Sequence, residues 1–345
     1  MRLRLVDIAQ RAGVSEATVS RVLNEKQVSD AARDKVLTAI DVLGYERPAR
    51  LRRRATGLVG LVVPELTNPV FPLFAQLIET ALAKHGYVPL LCTQTPNGLH
   101  EDEYVEMLLE QGTSGIIFVS GIHAITEADT DRYARLRASG IPIVLINGHQ
   151  PDVDAPSLSQ DDRAAVELGV EHLRQLGHNR LGLAVGPSRY TPASRRSTAF
   201  AHAVERRPGL VGTAEHTQYT VEGGAAAAHV LLDGGVTGIL CGSDVMAMGV
   251  VRAARQRGLR VPEDVSVIGS DDGMLAQYSD PPLTTIRQDV AGMSAAAVRA
   301  LLEEIGGTPS PRREHLFAPE LVVRRSTGPA PALRSAVATS AVENG

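Results

Sequence analysis

The chain has 345 residues, 43% of them hydrophobic and 21% charged, with a formal net charge of −4, two cysteines and no tryptophan. This is ordinary globular composition and enough length for two or three domains. No apolar run approaches the roughly 18 residues that span a bilayer, and no apolar segment follows Arg2 and Arg4, so a cytoplasmic protein without membrane contact is expected. Cys92 and Cys241 lie in apolar runs without metal-ligand spacing and are expected to be buried free thiols.

The charge is unevenly placed. Residues 1–54 carry twelve Lys/Arg against seven Asp/Glu, a net +5, which leaves −9 for the remainder. A basic head on an acidic body fits a protein that meets phosphates at one end. Within the head, Val6 to Asn24 reads as helix, turn, helix: Val6, Ile8, Ala9 and Ala12 form an apolar face, Gly13 allows the turn, and Ser15 caps a second helix. That second helix buries Val19, Val22 and Leu23 and leaves Glu16, Ala17, Ser20 and Arg21 outward, the arrangement of a helix that lies in a DNA major groove. A third helix is expected from its cap Ser29 through Val36, Ile40 and Leu43 to the Gly44–Tyr45 stop. The segment that follows, ERPARLRRRATG, is too polar for a core and reads as a linker whose Arg50, Arg52, Arg53 and Arg54 can touch phosphates or the minor groove.

From Leu58 short Val/Ile/Leu runs alternate with amphipathic stretches of helical length, the mark of a parallel sheet covered on both faces. Strands are expected at 58–63, 88–92, 115–119 and 143–146, then again at 181–185, 238–241 and 265–269. The helices between them are expected at 71–85, 101–111, 129–139, 161–176, 194–206, 222–232 and 244–257. Two doubly wound units in series follow, with ligand-binding loops at the carboxyl ends of the strands.

The stretches VDIAQRAGVSEATVSRVLN, VSDAARDKVLTAIDVLGY, GLVVPELTNPVFPLFAQLIE, GIIFVSG, HLRQLGHNRLGLAVGP, GSDVMAMGVVRAARQRGLRVPEDVSVIGSDD and DPPLTTIRQD stand in one order, and through them residues 5 to 327 resemble the lac-repressor (LacI/GalR) family of bacterial transcription regulators. The resemblance implies a helix-turn-helix headpiece joined to a two-lobed α/β core of two doubly wound parallel sheets, like a periplasmic binding protein. It implies a repressor that binds a pseudo-palindromic operator in double-stranded DNA as a homodimer and is switched by a small polar effector, a sugar or other metabolite, between the lobes. No cofactor or metal is implied.

Carried over by position, the resemblance gives base reading to Glu16, Ala17 and Arg21 and phosphate contact to Ser15, Thr18, Ser20 and Asn24. Arg21 can bond guanine O6 and N7 together, worth about 1–3 kcal/mol of discrimination; Glu16 can accept from a cytosine amino group, and Ala17 can touch a thymine methyl. Leu51 corresponds to the family's minor-groove wedge, within a hinge of Arg50, Leu51, Arg52 and Arg53. The chain has Glu46, Arg47, Pro48 and Ala49 where the family usually has Pro–Asn, and its hinge is shorter, so the arginines are expected to take over part of that contact.

For the effector, the resemblance implies Phe71, Asn147, Arg196, Tyr219, Ser243, Asp271 and Gln288, with Arg196 and Asp271 on opposite walls and Tyr219 where a tryptophan platform is common. Asp244 and Asp272 read as helix caps. The implied domains are 1–46 for the DNA-binding head, 47–57 for the linker, 58–148 plus 288–315 for one lobe and 149–287 plus 316–327 for the other, with chain crossings near 147–151, 285–289 and 315–319. Residues 328–345 are expected to be disordered and lack leucine heptads, which favours a dimer. An enzyme is disfavoured because the ten histidines are dispersed and no HExxH, GxSxG or Walker pattern accompanies them; a secreted solute-binding protein is disfavoured by the added head.

Overall fold

The computed structural model describes residues 4–23, 26–43, 45, 56–94 and 99–331. The chain divides into two compact units, Met1–Arg54 and Ala55–Gly345.

The first unit holds three helices, α1 (Leu5–Ala12), α2 (Glu16–Leu23) and α3 (Asp30–Leu43). Gly13 ends α1 in the left-handed region at φ 64°, and the Val14 N–H bonds Ala9 O at 3.1 Å, so the chain turns within two residues. Ile8, Ala9, Ala12, Val19, Val22, Val36 and Ala39 make the buried centre. Val6, expected inside, is 40% exposed; Leu5, one position earlier, packs there instead.

The second unit contains two six-stranded sheets. Lobe 1 comprises β1 (Gly57–Val63), β2 (Tyr87–Thr93), β3 (Ile116–Val119), β4 (Ile143–Ile146), β5 (Ser157–Gln160) and β11 (Glu314–Phe317) in the order β11-β5-β4-β3-β1-β2, every pairing parallel. α4 (Val70–Lys84) and α11 (Val290–Ile305) cover one face of this sheet, and α5 (Glu101–Glu110) and α6 (Asp131–Ala138) the other. Lobe 2 comprises β6 (Arg180–Val185), β7 (Val211–His216), β8 (Gly238–Cys241), β9 (Ser266–Asp271), β10 (Thr284–Arg287) and β12 (Glu320–Val322) in the order β12-β10-β9-β8-β6-β7, with only β12 antiparallel. Its faces carry α7 (Asp162–Gln175) with α8 (Thr191–Glu205), and α9 (Val221–Asp233) with α10 (Asp244–Gln256). Cys92 and Cys241 are buried free thiols.

Three details differ from expectation. The first crossing between lobes falls between β5 and α7, after Gln160 rather than near 147–151, because Ser157–Gln160 pairs with both β4 and β11 in the first sheet. Lobe 1 therefore extends to residue 160 and includes β11 through Phe317. Residues 328–330 are also held: Gly328 O lies 3.0 Å from His178 Nε2, and the Ala330 N–H bonds Leu176 O at 2.8 Å.

Candidate functional site

In the head, Ser15 Oγ accepts from the Thr18 N–H at 3.1 Å and lies 2.9 Å from Thr18 Oγ1. This cap fixes the start of α2, and helical phase then turns Glu16, Ala17 and Arg21 outward while Val19 and Val22 are buried. Thr18 and Ser20 are half-buried beside that outward face. A guanidinium, a carboxylate and a methyl group are thus presented within two turns. Asn24 and the hinge residues Arg50, Leu51, Arg52 and Arg53 lie outside the described residues.

In the second unit, strand ends of both lobes surround a cavity of about 580 Å³. Phe71, Asn147, Arg196, Tyr219, Asp271 and Gln288 all line it. Ser243 does not: it is buried, and its Oγ accepts the Met246 N–H at 3.2 Å as the cap of α10. The first helical turn recruits a short hydroxyl that the strand-end position alone would have aimed at the ligand.

Arg196 is also arranged differently from expectation. It is buried; its Nε donates to Asp162 Oδ1 at 2.8 Å, Nη1 to Gly242 O at 2.7 Å and Nη2 to Gln160 Oε1 at 3.3 Å. Its ion partner is Asp162, and Arg196 and Asp271 both belong to lobe 2 rather than to opposite walls. Asn68, from the loop after β1 of the other lobe, stands near enough to Asp271 to favour its ionised form. Burial pushes the Asp162 carboxyl up, and Arg196 pulls against it. Burial and the neighbouring Asp244 push Asp271 well up, against Arg196 and Asn68. The Tyr219 phenol is pushed up to about 12 by burial. Its ring occupies the space beside Gly186, where a Cβ would collide with it.

Backbone strain concentrates here. Among the described residues the non-glycine positive-φ positions are Ser120 (47°), Asn147 (62°), Asp271 (105°) and Asp272 (56°), all at carboxyl ends of strands, and the first three line the cavity. Asp244 and Asp272 are not caps. The Asp244 oxygens accept from Thr285 Oγ1 at 2.6 Å and Gly273 N–H at 2.7 Å, and burial pushes its carboxyl up to about 7. Asp272 pairs with Arg287 at 2.8 Å and Arg324 at 2.6 Å.

The lobes also meet directly. Arg195 of α8 makes a two-pronged pair with Glu314 of β11, at 2.6 and 3.0 Å. At the mouth, Ile125 bridges Tyr190, and the Thr126 N–H bonds Arg189 O at 2.8 Å. Gln288, on the second crossing, donates to Asn147 Oδ1 at 3.0 Å. Asn68, Gln160 and Asp162 are site residues that the sequence reading did not single out; the signal for the last two was a polar pair of strand-end and helix-start residues in SLSQDD.

Two family descriptions match the chain: "Bacterial regulatory proteins, lacI family" over residues 4–48 and "Periplasmic binding protein-like domain" over residues 170–327. The HTH-type transcriptional regulator MalR of Streptomyces coelicolor is 56% identical over 341 residues, covering 97% of this chain and 99% of that protein. The transcriptional repressor CytR of Escherichia coli is 32% identical over 330 residues, covering 93% and 95%. Among solved structures, a CelR–cellobiose complex superposes with TM-score 0.71 at 28% identity, covering 94% of this chain and all of that one. The lac repressor dimer bound to operator and an anti-inducer gives 0.69 at 28% identity, covering 95% and 100%. The chain belongs to the lacI family of HTH-type transcriptional regulators, proteins that bind DNA and are not enzymes, and it joins the family's head to a periplasmic-binding-protein-like core.

Proposed function

We propose that the protein is a cytoplasmic repressor that binds a pseudo-palindromic operator as a homodimer and is switched by a small hydroxyl-rich effector, a sugar, held between the lobes. The observation that carries this is the cavity itself: buried polar groups from both lobes, Asn68 and Gln160 on one side and Asp162 and Arg196 on the other, converge on a space that a polar molecule can fill. Similar structures contain cellobiose or ribose. A ligand that touches both lobes changes the angle between them, and in a dimer that angle sets the spacing of two heads. Exposed Met274, Leu275 and Tyr278 on lobe 2 offer apolar surface to a second copy.

The test is operator binding by fluorescence anisotropy, using DNA from the gene's own upstream region and a panel of sugars. A sugar that shifts operator affinity in the parent but not in a Gln160→Leu variant that still binds operator supports the reading. A shift of equal size in both overturns it.

A further inference from the structure

Glu101 is the first residue of α5, yet it is only 1% exposed. Capping the helix does not explain this, because the Glu103 side chain already accepts the His100 N–H at 2.7 Å. The Glu101 carboxyl instead accepts from three neutral donors: Tyr133 O–H at 2.6 Å, Gln94 Nε2 at 2.9 Å and the Ile122 N–H at 2.9 Å. Burying a carboxyl is costly, and neutral donors from three separate segments fix direction rather than neutralise charge. What they fix is the loop after β3. Ser120 leaves that strand at φ 47°, and Gly121 packs so closely that a Cβ would stand 2.4 Å from Glu101 Oε2. Ile122–Ala124 then form one turn of 3-10 helix. Tyr133 extends the same contact: its hydroxyl accepts the His123 N–H at 2.9 Å while donating to Glu101, and burial pushes its phenol well up, which keeps it a donor. The Gln150 amide donates to His123 O at 3.0 Å and to Ile125 O at 2.9 Å.

The far end of this loop reaches the other lobe. Ile125 bridges Tyr190, and the Thr126 N–H and Oγ1 lie 2.8 and 3.3 Å from Arg189 O, in the segment between β6 and α8. Only His123 and Ala124 separate Ile122, bonded to Glu101, from Ile125 at the bridge, and both belong to the 3-10 turn. A shift at Ile122 therefore passes to Ile125 with little slack to absorb it.

We propose that Glu101 is a positioning residue for the contact between the lobes: from inside lobe 1 it holds the 120–126 loop where Ile125 and Thr126 meet Arg189 and Tyr190, and so biases the cleft toward its bridged form. Its consequence for operator affinity rests on the switching reading above; the bridge itself does not. The experiment uses the full-length protein without effector. Ile125→Cys with Tyr190→Cys sets two thiols opposite each other in an antiparallel pair, about 4.5–5.5 Å apart at Cα and within disulfide reach. Trapping by oxidised glutathione is followed by mass spectrometry after alkylation, with buried Cys92 and Cys241 as the background. Glu101→Leu, which removes the acceptor for all three donors, is expected to slow trapping roughly fivefold. Glu101→Gln keeps one acceptor oxygen and is expected to fall between Glu101→Leu and the parent pair. Ser243→Ala, a change in the α10 cap of lobe 2, is expected to leave the rate unchanged. No disulfide in the parent pair overturns the bridge on which the role depends. Trapping at the parent rate in Glu101→Leu, or equal slowing in Ser243→Ala, overturns the positioning role and leaves Glu101 as a stabiliser of lobe 1. If Glu101→Leu does not fold, Glu101→Gln decides, and an unchanged rate there overturns the role. Operator affinity of the reduced variants, read by anisotropy on the upstream DNA, separates the two readings: slowed trapping with unchanged operator affinity upholds the positioning role and overturns the coupling of cleft to heads.

Discussion

Arg196 shows how one side chain serves the core and the cleft together. Its guanidinium is buried against Asp162, so neither charge can be removed alone without leaving the other unpaired in a poorly solvated place. Arg196→Met is expected to cost about 3–5 kcal/mol in urea unfolding, and Asp162→Asn in the same background is expected to recover part of that loss. A strictly additive double variant would contradict the pairing. Ser243 makes the opposite case: as a cap, Ser243→Ala costs about 1 kcal/mol of stability and leaves effector affinity unchanged. Position in sequence pointed to the right loops but not to the choice between cap and ligand contact. That choice depends on which N–H groups the following helix leaves open. At the DNA end, Arg21→Ala should relax discrimination at one base pair per half-site by about 1–3 kcal/mol in competition binding, whereas equal loss on specific and random DNA would show that Arg21 contacts phosphate instead.

At the scale of elements, the strands read from sequence were those with dense apolar runs, such as Leu58–Val63 and Ile143–Ile146, because a central parallel strand is buried on both faces. Those missed lie at sheet edges or are polar. β7 is largely exposed, β12 is three residues long, and β5 spells Ser-Leu-Ser-Gln yet is fully buried between β4 and β11. The missed β5 moved the lobe boundary and hid Gln160. α11 was missed as well: Val290–Ile305 is alanine-rich and buries Met293, Ala297 and Leu301 against lobe 1. The last strand leads into a clamp also absent from the sequence reading. His178 Nε2 lies 3.0 Å from Gly328 O and Nδ1 2.9 Å from Thr237 Oγ1, while His172 Nε2 meets Thr327 Oγ1 at 3.0 Å. Burial lowers the pKa of both histidines below the ordinary 6.5. Above pH 6.5 both folded and unfolded chains hold them neutral, so they add no pH dependence; below it the unfolded chain takes up protons that the fold resists. Thermal midpoints are therefore expected to fall as pH drops below 6.5, and more gently in a His172→Gln/His178→Gln double variant. An equally steep profile in that variant would assign the loss to other groups.

For the whole molecule, the chain crosses between lobes three times among the described residues, and direct contacts bridge the lobes. Arg195–Glu314 is a two-pronged ion pair among these, with its carboxylate largely shielded and its guanidinium one-third exposed. Glu314→Gln should favour the open form and weaken effector binding about fivefold, the equivalent of roughly 1 kcal/mol. The swap Arg195→Glu/Glu314→Arg should recover part of the loss; no recovery would place the effect in ligand contact instead. The central claim is that occupancy of this cleft and operator binding by the heads bias one shared equilibrium. Thermodynamic reciprocity then requires that each ligand alter the other's affinity by the same factor. The most direct test is to measure the effector dissociation constant of the full-length protein with and without saturating operator. The account predicts two different constants whose ratio equals the effector's shift in operator affinity; identical constants would contradict it.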